Sequence, residues 1–98
     1  MIVLIAKYYL ADPADLADVV AELTTMAGQV AANEPGCALY HASRSTERDD
    51  LILLYEHYLD EAALAGHRET PHFKEIIEGR IVPRLAKRER ELYELLVP

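Results

Sequence analysis

The N-terminal run Ile2–Leu10 constrains the fold more than any other stretch, because it is apolar on both faces of the strand that it predicts. Its sequence, IVLIAKYYL, is rich in the β-branched and aromatic residues that favour strands. One face of this strand would carry Ile2, Leu4, Ala6, Tyr8 and Leu10, and the other Val3, Ile5, Lys7 and Tyr9. A strand of this kind is covered on both sides in a folded protein. One layer of helices cannot cover both faces, so we expect a second layer on the sheet.

A helix start follows this strand. Asp12 is a good N-cap and Pro13 fits the first helical position. Apolar residues then recur at three- and four-residue spacing, which is the pattern of an amphipathic helix. They are Leu16, Val19, Val20, Leu23, Ala27 and Val30. We expect the helix to end near Asn33, because the residue before Pro35 is biased out of the helical region and Gly36 can take a positive φ.

The middle of the chain predicts an antiparallel hairpin. Cys37–Ser43 and Leu51–Leu59 have the composition of strands, and the charged segment Arg44–Asp50 between them has the composition of a loop. The second of these strands is again apolar on both sides, apart from Glu56 and His57.

Two helix starts follow the hairpin. Asp60 can cap a short helix over Glu61–His67, whose alanines and leucine are good helix formers. The pair Thr70–Pro71 repeats the same signal and begins another helix, which carries Phe73. We expect Pro83 to kink or end that helix.

The last run, Glu89–Val97, alternates in the manner of a strand, with a helix over Ala86–Leu92 as the alternative. The resulting order is β-α-β-β-α-β, an α+β, ferredoxin-like arrangement with a four-stranded antiparallel sheet in one domain, residues 1–98. Helices cover only one face of such a sheet. Because two of its strands are apolar on both faces, we expect two sheets to pack face to face in a homodimer.

The charge balance limits the partners. The chain has 10 Lys and Arg residues against 17 Asp and Glu residues, a net charge of −7. A field of this sign repels phosphate backbones and anionic lipids, so we expect no nucleic-acid and no membrane partner. The basic run Arg84–Arg90 is interrupted by apolar and acidic residues, and we interpret it as a solvated face.

Cys37 is the only cysteine, so no intramolecular disulfide is expected. The N-terminal residues lack the pattern of a secretory leader, and no apolar run approaches the ~20 residues of a membrane span. These features predict a cytoplasmic protein. Because Cys37 follows a Pro-Gly turn into a strand, we interpret it as a small buried residue rather than a nucleophile.

No segment matches a phosphate-binding loop, a Cys-x-x-Cys pair, a His-Glu-x-x-His helix or a nucleophile elbow. His67 and His72 lie five residues apart across a helix break, a spacing that does not place two imidazoles on one helix face and so disfavours a metal site. Helix-end contacts and proton handling at a pocket mouth remain open for them.

Glu56 lies on an otherwise apolar strand and needs a partner if it is buried, because an isolated carboxylate is costly in an apolar site. An ion pair with Lys7 is the interpretation that we favour over a catalytic role. Tyr40 and Tyr58 could present their hydroxyl groups to a cavity, or could fill the core.

With these residues in place, the chain resembles the antibiotic biosynthesis monooxygenase family, within the dimeric α/β barrel superfamily. The resemblance rests on the Ala-Lys-Tyr of the opening strand, on EPGCALY at 34–40, on LLYEHYLDEAALAGH at 53–67 and on TPHF at 70–73. It implies a ferredoxin-like protomer, a dimer of facing sheets and a mainly apolar pocket. Some relatives oxidise phenolic or quinol-type substrates with molecular oxygen and without a metal or organic cofactor, while other branches degrade haem or isomerise a small phosphorylated sugar.

The sequence departs from the family pattern at three positions. Tyr58 stands where the family has Trp, Leu54 where the cofactor-independent oxygenases have Asn, and Leu64 where they have a pocket Tyr. The haem-degrading branch uses a Trp and a histidine ligand, and this chain has no Trp and no His after His72. We therefore expect no haem degradation.

The resemblance predicts a monooxygenase that oxidises a phenolic or quinol-type aromatic molecule with molecular oxygen, with no cofactor and no metal. The expected catalytic residues are Tyr58, His67 and His72, with one histidine as the base, and the expected substrate-binding residues are Tyr40, Glu56 and Phe73. Two alternatives remain: an isomerase of a small polar substrate, with Lys7 and Arg44 as the cations for an anionic group, and a non-catalytic ligand-binding or stress-associated dimer.

Overall fold

A computed structural model describes all 98 residues and confirms the predicted ferredoxin-like order. The elements are β1 (Ile2–Leu10), α1 (Leu16–Asn33), β2 (Cys37–Arg44), β3 (Leu51–Tyr58), α2 (Glu61–Glu69), a π-helix (Phe73–Ile81) and β4 (Leu85–Glu94). Short 3-10 turns over Pro13–Asp15 and Val82–Arg84 precede α1 and β4. No helix is both long enough and apolar enough to cross a bilayer.

The four strands form one antiparallel sheet in the order β2-β3-β1-β4. Strand β4 starts and ends earlier than the predicted Glu89–Val97, because it pairs with β1 from Leu10 opposite Leu85 to Ile2 opposite Glu94. The helical alternative for its central residues is wrong. Pairing with β1, which the local sequence pattern does not show, fixes both ends of this strand.

The helices pack on one face of the sheet, where one cluster of buried side chains forms the core. It comprises Leu4, Ala6, Tyr8 and Leu10 of β1, Ile52, Leu54 and Tyr58 of β3, Val19, Leu23, Met26 and Val30 of α1, Leu64 of α2, and Ile76, Ile77 and Ile81 of the π-helix. The apolar stripe of α1 differs from the prediction at two positions. Met26 is fully buried, whereas Val20 is 49% exposed, because the stripe that faces the sheet follows a single line of residues.

Both predicted N-caps are present. Asp12 accepts a hydrogen bond from the Ala14 N–H at 3.0 Å, and Asp60 accepts one from the Ala63 N–H at 2.8 Å. The expected positive φ at Gly36 is wrong, since no residue of the chain has one. Gly36 is needed for space instead, because a Cβ on it would lie 2.7 Å from the Ala63 Cβ.

The helix expected after Thr70–Pro71 is wound as a π-helix, in which the Val82 N–H bonds to the Ile77 carbonyl five residues earlier. Thr70 joins it to α2: its hydroxyl donates to the His67 carbonyl at 2.8 Å and accepts from the Phe73 N–H at 3.2 Å. Long π-helices are rare and are often found at functional sites.

The opposite face of the sheet, which we call the open face, carries no helix. The strand register assigns to it Val3, Ile5, Lys7 and Tyr9 of β1, Leu51, Leu53, Tyr55 and His57 of β3, Leu39, His41 and Ser43 of β2, and Lys87, Glu89, Glu91 and Tyr93 of β4. His57 Nε2 is buried there without a hydrogen-bond partner. The second apolar face predicted for β1 and β3 is therefore present and uncovered in the protomer.

Candidate functional site

A cavity of about 190 Å³ lies between the helix-covered face of the sheet, the end of α2 and the start of the π-helix. It is lined by Leu4, Ala6 and Tyr8 of β1, Tyr40 of β2, Glu56 of β3, His67 and Arg68 of α2, Phe73 of the π-helix, and Arg88, Glu89 and Arg90 of β4. Ligand pockets commonly measure about 300–1,000 Å³, so this one suits a small molecule. It joins apolar and aromatic walls to a few convergent charged groups.

Glu56 is the buried acid of this cavity, with only 3% of its surface exposed. The Tyr58 hydroxyl donates a hydrogen bond to Glu56 Oε1. Burial raises the pKa of Glu56 from 4.5 to about 7, while the Tyr58 hydrogen bond and the charge of Arg90 act in the opposite direction. A carboxyl group with a pKa near neutral pH can both take up and release a proton, as general acid–base catalysis requires.

The predicted ion pair between Glu56 and Lys7 is wrong. In the antiparallel register Glu56 stands opposite Leu4, on the face that the helices cover, whereas Lys7 stands opposite Leu53. Successive side chains of a strand point to opposite faces, so Lys7 lies on the open face. The partner of Glu56 is Tyr58, two residues along the same strand.

Glu34, at the end of α1, holds two histidines. Its Oε1 lies 2.7 Å from His67 Nδ1, and its Oε2 lies 2.6 Å from His72 Nε2. Carboxylate oxygens only accept, so both imidazole N–H groups are donors. The second nitrogen of His67, Nε2, lies 3.8 Å from Glu56 Oε1. These contacts tie the end of α1 to α2 and to the start of the π-helix.

His67 is 4% exposed, and its burial lowers its pKa, with the neighbouring Glu34 acting in the opposite direction. The neutral imidazole is therefore favoured. With its Nδ1–H on Glu34, the lone pair of His67 Nε2 is free and faces Glu56. The 3.8 Å between His67 Nε2 and Glu56 Oε1 is longer than a hydrogen bond, so the two groups are neighbours without a direct bond.

Aromatic rings surround His67. Its ring centroid lies 6.0 Å from that of Tyr40, 5.2 Å from that of Tyr58 and 5.2 Å from that of Phe73. The cavity is lined by four of the predicted site residues, namely Tyr40, Glu56, His67 and Phe73. Tyr58 is fully buried against Glu56, and His72 lies behind Glu34, so neither lines the cavity.

The cations of the cavity are residues that the sequence did not single out. Arg88 and Arg90 stand opposite Tyr8 and Ala6 of β1, on the helix-covered face, and Arg68 reaches the cavity from α2. The solvated-face interpretation of the run that holds the first two is therefore incomplete. The two-residue spacing of Arg88 and Arg90, which places both on one face of a strand, was the signal available in the sequence.

Two predicted cations do not reach the cavity. Lys7 lies on the open face, and Arg44, at the end of β2, lines a separate depression against α1. Glu34 was also missed, because it stood only in a turn sequence next to Pro35.

Cys37 lies beside the site but is not a nucleophile. Burial raises the pKa of its thiol to about 11, and the nearby Glu56 adds to this rise. The thiol donates to the Leu39 carbonyl at 3.3 Å. The thiolate, which is the reactive form, is thus disfavoured at neutral pH. No group of three or more His, Cys, Asp and Glu side chains is arranged to hold a metal ion.

Comparisons with known proteins agree with the resemblance drawn from the sequence. The family model described as antibiotic biosynthesis monooxygenase matches residues 1–79. A Caulobacter crescentus CB15 protein that bears the name of these monooxygenases superposes with a TM-score of 0.91 at 28% identity, over 98% of this chain and 90% of that one. A Bacteroides thetaiotaomicron VPI-5482 protein with the same name gives 0.87 at 30% identity, over 99% and 90%.

A conserved protein of Methanosarcina mazei Go1 superposes with a TM-score of 0.85 at 25% identity, over 94% of this chain and 89% of that one. None of the curated proteins matches the sequence. The family model spans well over half of the chain. The protein belongs to the antibiotic biosynthesis monooxygenase family.

Proposed function

We propose that the protein is a monooxygenase that oxidises a phenolic or quinol-type aromatic small molecule with molecular oxygen, without a metal or organic cofactor. The observation that carries this proposal is Glu56, a buried carboxyl group with a pKa of about 7 on the floor of a small cavity with aromatic walls. The reaction class is supported by the protein's membership in the family and by the monooxygenase names of the Caulobacter and Bacteroides relatives.

Binding would place the aromatic ring of the substrate beside Tyr40 and Phe73, with a hydroxyl group against Glu56. Glu56 takes the hydroxyl proton, and the resulting phenolate is a far better electron donor than the phenol. Holding the two groups in contact makes the proton transfer effectively intramolecular. Glu56 is therefore the base in this proposal, in place of the histidine that we expected from the sequence.

The ionised substrate then reduces oxygen itself. One electron passes to O₂, and the superoxide and the substrate radical combine at a ring carbon to form a peroxide anion, which takes up a proton to become a hydroperoxide. The O–O bond then breaks as the same carbon gives up its hydrogen as a proton, so that water leaves and a carbonyl group remains on that carbon. One oxygen atom ends in the product and the other in water, and the substrate supplies all the electrons.

The remaining residues manage the proton. His67 Nε2, 3.8 Å from Glu56 Oε1, takes the proton from Glu56 once the two groups approach to hydrogen-bond distance, and Glu34 keeps His67 in the tautomer that has this nitrogen free. His72 holds the other oxygen of Glu34, and is a positioning residue in this scheme. Tyr58 is also a positioning residue, since its hydroxyl stabilises the ionised form of Glu56.

Oxygen uptake across a panel of anthrones, quinols and catechols tests the proposal. We expect at least one compound to be oxidised, with a rate about 10²–10⁴ times lower in E56Q than in the wild type, because the general base is lost. Glu47→Gln, in the exposed loop between β2 and β3, is the matched control and should retain the wild-type rate. No uptake by the folded wild type with any compound, or equal rates for E56Q, would contradict the proposal.

The second candidate is an isomerase of a small anionic substrate, in which Glu56 moves a proton between two carbon atoms. The observation that favours it is the set of three arginines, Arg68, Arg88 and Arg90, around the cavity. An isomerase would consume no oxygen and would exchange substrate hydrogen for solvent deuterium. Oxygen uptake with the aromatic panel separates the two candidates.

We further propose that the protein acts as a homodimer joined through its open face, in the reducing cytoplasm that its single cysteine suits. An apolar sheet face without helices supports this, and so does the unpartnered His57 Nε2, because a partner sheet would cover the first and could supply a partner for the second.

A further inference from the structure

Two arginines of the cavity form no ion pair. Arg68, in the last turn of α2, and Arg90, on β4, both line the cavity, and neither forms an ion pair or a side-chain hydrogen bond within the protomer. Both side chains are exposed, whereas Glu56 is buried, so the two guanidinium groups stand at the open end of the cavity and the carboxyl group at its closed end.

The other charges around the cavity are already matched. Arg88 lies 3.3 Å from Glu78 Oε1, which balances its charge. The Glu89 carboxylate receives the Tyr9 hydroxyl at 3.0 Å, and Tyr9 belongs to the open face, so this carboxylate is engaged away from the cavity. Glu56 is held by Tyr58. Arg68 and Arg90 are thus left without an ion pair or a side-chain hydrogen bond, and the buried Glu56 attracts Arg90 only from a distance.

The positive charges of Arg68 and Arg90 also act on each other. The pKa of the Arg90 guanidinium is lowered, first by partial burial and then by the positive charge of Arg68. Two like charges at one opening repel each other unless an anion lies between them. The C-terminal end of α2 attracts Arg68, and the charge of Glu56 attracts Arg90, but neither attraction occupies the hydrogen-bond donors of the two guanidinium groups.

We infer that Arg68 and Arg90 form an anion subsite at the open end of the cavity, which binds a carboxylate group carried by the aromatic substrate. Guanidinium groups present planar, paired donors that match the two oxygens of a carboxylate. This inference rests on the proposed function, since it names the class of its substrate: a hydroxyl group at Glu56 and a carboxylate at the arginines, with the ring between Tyr40 and Phe73.

The subsite would also orient the substrate. A ring whose carboxylate is held by Arg68 and Arg90 presents its hydroxyl group to Glu56. The opposite orientation is disfavoured, because the substrate carboxylate and the Glu56 carboxylate would repel each other. The net charge of −7 disfavours anions at long range, so the attraction is local and should weaken as salt is added.

Calorimetric titration with matched pairs of probes tests the subsite. The probes are para-hydroxybenzoate, protocatechuate and a hydroxynaphthoate, each compared with its neutral carboxamide. Charge-assisted hydrogen bonds should make at least one carboxylate bind about tenfold more tightly than its carboxamide to the wild type. The preference should fall to about onefold in R68Q/R90Q and partly in each single variant.

Arg44→Gln is the matched control, because Arg44 is also exposed and unpaired on a strand but lies outside the cavity. It should keep the full preference. Equal binding within every pair, no binding of any carboxylate to the wild type, or an unchanged preference in R68Q/R90Q would overturn the inference. Circular dichroism of the variants shows that they are folded, and the single variants replace the double variant if it is not.

The same titrations separate this inference from the proposed function. E56Q should keep the preference for carboxylates, because it removes the base and leaves the arginines. A tenfold preference in a wild type that consumes no oxygen would overturn the monooxygenase and support the subsite. Oxygen uptake by a wild type that binds carboxylates and carboxamides equally would support the monooxygenase and overturn the subsite.

Discussion

The pH response of the site depends on two groups. They are the buried carboxyl group of Glu56 and the Tyr58 hydroxyl, which donates a hydrogen bond to it. The Tyr58 hydrogen bond lowers the pKa of Glu56, against the larger effect of burial. Removing the hydroxyl in Y58F should raise that pKa by about one unit above 7. Because the base must be ionised, the rise of oxygen-uptake rate with pH should move to higher pH by the same amount.

The measurement is the pH profile of oxygen uptake for Y58F and the wild type. Tyr55→Phe is the control, since Tyr55 lies on the open face and makes no hydrogen bond to Glu56. It should reproduce the wild-type profile. A Y58F profile at or below the wild-type midpoint would show that the hydroxyl does not act on the base.

The raised pKa of Glu56 also predicts how stability changes with pH. The carboxyl group is protonated in both states below pH 4.5, so its contribution is complete there. Between 4.5 and about 7 the unfolded chain ionises while the folded protein keeps the proton, so stability falls as the pH rises through this window. The loss is on the order of 3 kcal/mol and should level off above the window.

Urea unfolding of the wild type and E56Q at several pH values measures this loss. The variant cannot titrate at this position, so the difference in unfolding free energy between the two proteins should shift in favour of the variant as the pH rises. A difference that stays constant across the window would mean that Glu56 titrates at its ordinary value in the folded protein.

Sequence reasoning found the residue types of the site better than their roles. Tyr40, Phe73 and His67, which the family motifs bracket, line the cavity, and their roles there stay predictions. The surroundings of Glu56 could not be derived, since they depend on whether its side chain shares a face with Lys7, and the strand register alone decides that. The cavity arginines were missed for the same reason.

At the scale of elements, the turn before β2 and the helix α2 approach each other closely at Gly36. A Cβ on Gly36 would lie 2.7 Å from the Ala63 Cβ, and a methyl group on a helix cannot move aside without the helix. Gly36→Ala should therefore destabilise the protein by about 1–3 kcal/mol. It should also weaken the contact of Glu34 with His67, because the two elements would separate.

Thermal unfolding and the pH profile of activity report these two effects. Gly66→Ala is the matched control on α2: a Cβ there meets nothing, so the change should stabilise by about 0.5–1 kcal/mol. The double variant G36A/A63G should recover much of the stability, since removing the Ala63 methyl group makes room for the new methyl group at position 36. Equal effects for G36A and G66A would contradict the close-approach account.

Residues that mark the start of a helix made several elements predictable from the sequence. Asp12 and Asp60 cap helices as expected because capping is a local interaction, complete within a few residues. The π-helical winding of Phe73–Ile81 and the ends of β4 were not predictable in this way. Both depend on what the segment packs or pairs with.

At the scale of the whole molecule, the open face is the feature that the protomer leaves incomplete. Leu53 lies on this face, between Lys7 of β1 and Ser43 of β2. We expect the wild type to be a dimer in solution and L53K to be a monomer, because a buried unpaired ammonium group at the interface costs several kcal/mol. Light scattering coupled to size-exclusion chromatography gives both masses.

Leu59→Lys is the control, because Leu59 is 55% exposed and lies beyond the end of β3. It should remain a dimer. A wild type with the 11.0 kDa mass of one chain would contradict the interface. The second apolar face of β1 was visible in the sequence, since alternation along a strand needs no tertiary information, whereas the exact partner of that face needs a second chain.

The central claim is that Glu56 takes a proton from a bound phenol. A chromophoric phenol of near-neutral pKa, whose ionised form has its own absorption band, tests it without turnover. In difference spectra at a pH near 7, the wild type should bind this compound as the phenolate and E56Q should bind it as the neutral phenol. The same ionisation state on both proteins would contradict the claim.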